Sequence, residues 1–265
     1  MTDLDLLAEM PLDLLLRLAR REIDVGGDVP QPHLAELHRR PERPVFDRAA
    51  ELLNDEDATS REFGAAILSR LGDERPFRTE AIPLLRGRLA DEEDPDVISQ
   101  LVYALGNNAA VEDLPAVVRL ATHPDAQVRF SVAGTLPGLV NLSAVEPAAA
   151  EALFQLCEDE DADVRFYALY AVTRELAALD VHAVEDMTVR LRDDPDDQVR
   201  AMALDHRDAI HEARRLLGDD HLIGPALVAL ASEGGVEELH ELGVPDEAAA
   251  RQLVTWWNER DERWP

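Results

Sequence analysis

The 265-residue chain contains no lysine, and all 26 of its basic side chains are arginine. Against them stand 55 carboxylates, for a formal net charge of −29. That imbalance excludes tracking along phosphate backbones, where clustered cationic side chains supply the attraction, so no nucleic-acid partner is expected. Cysteine is nearly absent too. Cys157 stands alone, which rules out a disulfide framework and fits a reducing cytoplasm. Aromatics make up only 5% of the residues, while Leu, Ala and Val dominate. This composition favours close helix-on-helix packing over a sheet of aromatic and β-branched side chains. Long apolar runs are also missing. "PLDLLLRLARR" is interrupted by Asp13 and Arg17, and "MTDLDLLAEM" has no basic leader, so neither a membrane span nor a signal peptide is expected. No Gly-rich phosphate loop, Ser-His-Asp or Cys-His order, or zinc spacing occurs, so no catalytic residue, metal or cofactor is expected.

What is present is repetition. "NDEDATSREFGAAIL", "EEDPDVISQLVYALG", "HPDAQVRFSVAGTL", "DEDADVRFYALYAV" and "DDPDDQVRAMALDHR" each join an acidic turn to an apolar helix. The residues at the Val-Arg arginine position, Arg61, Ile98, Arg129, Arg165 and Arg200, are spaced by 37, 31, 36 and 35 residues. A period of that size is the mark of an array with one supersecondary unit per repeat. A helix with a three- and four-residue apolar rhythm precedes each turn, as in "PVFDRAAELL" and "HAVEDMTVRLR". From Val199 one apolar stripe runs to Gly218, which predicts a single helix of about five to six turns. Residues 1–43 are expected to be capping helices, 44–232 the array, and 233–265 further capping helices.

Three residues before the anchor positions Ser60, Val97, Val128, Val164 and Val199 stand Asp57, Asp94, Asp125, Asp161 and Asp196. An Asp there accepts from free N–H groups of the first turn and complements the helix dipole, so these five are expected to be caps. The run Asp159, Asp161, Asp163 imitates the start of a calcium loop. Val164 occupies the loop's glycine position and Tyr170 its terminal glutamate position, so no calcium site is expected. The arginines are expected to run along the stack to neighbouring carboxylates or carbonyls.

The pattern Asp-x-x-Val-Arg-x-x-Ala in "DADVRFYALYAV" and "DDQVRAMAL", with the "DPDVISQLVYALG" variant, resembles the HEAT-repeat family, in particular bacterial proteins opening "RPF…AIPLL…DPDV". The resemblance implies an all-α fold, an α-solenoid of stacked HEAT-type helix pairs in a right-handed superhelix with helical caps. It implies a long surface offered to a partner. Some members of this fold are enzymes, but the paired His-Glu steps of a hydroxylase occur only as His211-Glu212 and His240-Glu241, out of register with the anchors. Nothing marks a bilin lyase site.

With the anchor at zero and 100° per residue, positions two and six later point away from the buried side. They place Tyr103, Phe130, Phe166 and Tyr170 on an open inner face, where aromatics resemble interface anchors. The acid turns form a second candidate, an acidic edge of Asp55, Asp91, Glu92, Glu93, Asp159, Glu160, Asp193 and Asp194. One cap per turn leaves the rest as surplus, either solubilising or able to steer a basic partner. At the C-terminus, Leu253 and Trp257 are expected to seal the last repeat, with Trp256 or Trp264 left exposed. The expected function is a non-enzymatic, cytoplasmic, monomeric scaffold that binds another protein on its inner face. The alternative is an acidic inhibitor or immunity-type protein masking a basic toxin or nucleic-acid enzyme, and a hydroxylase or lyase comes third.

Overall fold

The computed structural model describes residues 3–25, 30–142 and 144–261. The described residues form α-helices joined by short turns and no strand. They fall into two compact units, Met1–Leu139 and Val140–Pro265. The division falls inside the stretch that the repeat period marks as one array.

The first unit opens with α1 (Asp3–Ala8), α2 (Leu12–Val25) and α3 (Pro32–His38), followed by three helix pairs. These are α4 (Arg43–Leu52) with α5 (Ala58–Ser69), α6 (Arg78–Asp91) with α7 (Pro95–Asn107), and α8 (Leu114–Arg119) with α9 (Ala126–Thr135). The second helices pack in sequence, α5 on α7 and α7 on α9, while α2 and α3 cover the free side of α5. Apolar spacing dictates this layer. On α7, Val97, Leu101, Ala104 and Leu105 are at most 1% exposed, and Val128 and Val132 of α9, with Leu136 just after it, follow the same spacing into the core. Each such Leu or Val contributes about 1.5–3 kcal/mol relative to an exposed one. The helices approach closely where side chains allow it. A Cβ on Gly106 of α7 would lie 2.5 Å from Thr135 Cγ2 of α9, so only glycine fits that contact.

The second unit continues with α10 (Pro147–Leu156) and α11 (Ala162–Tyr170), then α12 (Val181–Leu191) and α13 (Asp197–Leu217). The 21-residue α13 ends at Gly218, whose φ of 64° gives the left-handed cap that stops a helix. After α11 the chain widens into a π-turn over Ala171–Glu175, and Thr173 Oγ1 donates to the Leu169 carbonyl at 2.7 Å. The unit closes with α14 (Asp220–Ala231), α15 (Val236–Glu241) and α16 (Glu247–Asp261). Ile210 and Ala213 of α13, Leu227 of α14, and Leu253 and Trp257 of α16 share one buried cluster.

Candidate functional site

The acid turns perform more structural work than one cap each. Asp57 accepts from the N–H of Ser60, and Asp125 from that of Gln127. Asp94, Asp161 and Asp196 each accept two: Asp96 and Val97, Asp163 and Val164, Gln198 and Val199. Two residues upstream of each cap a second acceptor takes the cap's own N–H. Asp55, Glu92, Asp159 and Asp194 do so through carboxylates at 2.9–3.1 Å, and His123 through Nδ1 at 3.1 Å. Each turn therefore needs two acceptors. The expectation that one Asp suffices, leaving the others as surplus, is corrected on this point.

The arginines complete the turns. Nη1 of Arg61, Arg129 and Arg165 donates to the carbonyls five and six residues upstream, at 2.9–3.2 Å. Arg200 reaches the Asp194 carbonyl at 2.5 Å and the Asp197 carboxylate. Arginines also grip the next turn. Arg61 meets Glu92 at 2.7 and 2.8 Å, and Arg165 meets Asp194 at 2.9 and 2.8 Å. Arg20 of α2 bonds Asp57 and Ser60 in the same sense, so α2 behaves as the second helix of a pair ahead of the array.

These contacts remove two members from the expected acidic edge. The Glu92 side chain is 2% exposed and that of Asp194 is 5% exposed. Burial opposes their ionisation, but the arginine forks and turn N–H groups outweigh it. Glu92 is held down to about 2, and Asp194 is also lowered. Asp55 and Asp159 serve the turns as described. Asp91, Glu93, Glu160 and Asp193 remain exposed.

Of the four expected aromatic positions, Tyr170 alone is exposed. In the first unit, Tyr103 and Phe130 are half-buried. Tyr103 lines a cleft of about 390 Å³ with Gln31, His38, Glu62, Arg70 and Gln100. His38 Nε2 lies 2.9 Å from the Ala66 carbonyl, and burial lowers the affinity of the ring for a proton. Ser99 and Ala66, also at outward positions, are only 4% and 3% exposed, because such short side chains do not reach past their neighbours. In the second unit Phe166 is half-buried, and Tyr167 lies edge-on to it at 5.7 Å. Tyr167 and Tyr170 are each 43% exposed. Tyr167 was missed by the helical phase, which puts position three nearer the buried side.

At the C-terminal end Trp257 is 4% exposed and Trp256 half-buried. Trp264 lies outside the described residues. Arg260 lies 3.8 Å above the Trp257 ring, and Arg174 at 4.9 Å. Both arginines bond Asp205 at 2.9 Å, which ties α16 to α13 and the π-turn. His211 lies 3.4 Å from Glu185, while Glu212 pairs with Arg215 and His240 Nδ1 lies 2.9 Å from the Val244 carbonyl. Among the described residues no three His, Cys, Asp or Glu side chains are grouped to hold a metal. No described helix is long and apolar enough to cross a membrane.

Residues 82–173 match the family model for HEAT repeats. Among solved structures, that of YibA from Escherichia coli superposes with a TM-score of 0.63 at 17% identity, covering 98% of this chain and 95% of that one. An engineered protein follows with a TM-score of 0.52 at 22% identity, covering 78% of this chain and 98% of its own. No curated protein matches the sequence. At these identities the structural likenesses speak to the fold, an α-solenoid type of stacked helix pairs.

Proposed function

We propose that this HEAT-repeat chain is a non-enzymatic scaffold that binds another protein through aromatic side chains on its second helices. One observation carries the reading. All three tyrosines of the chain, Tyr103, Tyr167 and Tyr170, sit on second helices, and none enters the core. An amphipathic ring left at a surface is the side chain most often found anchoring an interface. The acidic-inhibitor alternative is less well supported, because Glu92 and Asp194 are spent inside the fold.

The test compares proteins retained from source-cell extract by the wild type and by Tyr103→Ser and Tyr170→Ser variants. Loss of an anchor worth about 2 kcal/mol weakens binding roughly 30-fold, so a specific partner should disappear from one variant or both. Equal retention of every bound protein by wild type and both variants refutes the reading.

A further inference from the structure

The cleft of about 390 Å³ in the first unit is a trough along α5 and α7, bounded as well by Ile23 of α2 and Leu34 of α3. Its floor is low because Ala66 and Ser69 line it with short side chains. Asn107 Nδ2 donates to Ser69 Oγ at 2.8 Å, which holds the C-terminal ends of α5 and α7 side by side. Counted from the anchors Ser60 and Val97, Glu62 and Gln100 then stand at one end of the trough, Tyr103 in its middle, and Arg70 and Asn107 at the other end.

The lining is polarised. A carboxylate marks one end and a guanidinium the other, eight residues apart on α5, which is about 12 Å along the helix. Arg70 makes no ion pair among the described residues, so it does not close onto Glu62. Between the two charges lie carboxamides with bonding capacity to spare. Gln31 and Gln100 are half-buried, and their side chains bond nothing among the described residues. Asn107 spends one N–H on Ser69 and keeps its Oδ1 as an acceptor. Polar side chains withdrawn from solvent are ordinarily bonded within the fold. Here they line a cavity instead.

We propose that this trough binds a free short peptide of about three residues, its amino terminus at Glu62 and its carboxyl terminus at Arg70. Other ligand classes leave a charge unmatched. A polyamine meets Arg70, a dicarboxylate meets Glu62, and an uncharged sugar answers neither. Length narrows the choice further. One amino acid spans at most about 3.6 Å, whereas three extended residues span about 10–11 Å, the scale of the gap between the two charged positions. A carboxamide carries both a donor and an acceptor, as does the peptide bond, so Gln31, Gln100 and Asn107 match the ligand's backbone. Ile23 and Leu34 offer an apolar wall to one of its side chains. The proposal goes beyond the scaffold reading. Tyr103 borders the trough, but a free peptide is a ligand rather than a partner protein, and Tyr167 and Tyr170 take no part.

The test is isothermal titration of the full chain at physiological salt with Ala-Leu-Ala, its N-acetylated form, its C-terminal amide and the doubly blocked form. The free peptide should bind at least tenfold more tightly than either singly blocked form. Glu62→Gln should bind the free and acetylated peptides alike while still preferring a free carboxylate. Arg70→Gln should bind the free and amidated peptides alike while still preferring a free amine. Arg251→Gln, which breaks an exposed pair with Glu247 in the other unit, should keep both preferences. The proposal is overturned if the wild type fails to bind Ala-Leu-Ala or binds it no more tightly than the blocked forms. It is also overturned if both trough variants keep the wild-type preferences, or if Arg251→Gln loses them too. Should a trough variant melt at a lower temperature, the wild-type comparison of free with blocked peptides decides alone. The scaffold reading is judged separately, by the proteins that Tyr170→Ser retains, since that position lies outside the trough.

Discussion

Replacing Asp194 by alanine separates a built-in carboxylate from a merely acidic surface. Asp194 is 7% exposed and accepts two bonds from Arg165 and one from the N–H of Asp196. Removing it leaves Arg165, itself 9% exposed, with only the carbonyls of Asp159 and Glu160. Breaking one side of a buried pair costs about 3–5 kcal/mol, because a charge is left uncompensated. For a unit of this size that is a fall in melting temperature of roughly 10–20 °C. Asp193 is the control, since it is exposed and touches only Arg192, and its change to alanine should stay within about 0.5 kcal/mol. Replacing Arg165 by Met and Asp194 by Leu together should recover much of the loss, since apolar substitution of both partners is often neutral. Calorimetry of the four proteins reads all of this. If Asp194→Ala melts with Asp193→Ala, the pair does not hold the turn and Asp194 belongs back among the surface charges.

Two further outcomes follow from the same geometry. His206 is 4% exposed, and burial, with the charges of Arg174 and Arg260, lowers its pKa to about 3. The unfolded chain, with an ordinary value near 6.5, then binds the proton first, so stability is full above that value and falls as the pH drops toward 3. Urea midpoints between pH 7.5 and 5 should show a loss that is smaller by about 2 kcal/mol in His206→Leu than in the wild type, with His38 contributing equally to both; an equal loss in that variant would rule out His206 as a cause. Asp161→Ala removes the acceptor of two first-turn N–H groups and should cost about 1 kcal/mol in thermal unfolding. An unchanged melt would remove the capping role.

The helix layers were legible because apolar spacing and turn punctuation agree. Val97, Val128, Val164 and Val199 are each at most 1% exposed, and Gly218 stops α13 where the stripe ends. The five capping aspartates could be seen because one offset recurs five times. The π-turn over Ala171–Glu175 could not, since it depends on a backbone register that "AVTRE" does not announce. Tyr167 escaped because a phase counted from one anchor takes no account of how much neighbouring helices cover.

The acid turns show why charge is harder to interpret than apolarity. A buried leucine has one role, and its period reveals it. A carboxylate can cap, close a turn, pair across repeats or lie in solvent, and composition treats these alike. Glu92 and Glu93 are adjacent and chemically identical. Glu92 accepts from two turn N–H groups and from Arg61 and forms an ion pair with Arg88, whereas Glu93 is exposed. What distinguishes them is distance from the cap. Glu92 stands two residues before Asp94, where Asp55, His123, Asp159 and Asp194 stand before their own caps. The presence of His123 in that series settles the chemistry, because a neutral imidazole nitrogen and a carboxylate share only the ability to accept a hydrogen bond. The position therefore selects for an acceptor, and the charge comes with it in four cases of five. Most of the acidity of these turns that reaches solvent is carried by residues at other offsets. Only that remainder is available to a partner.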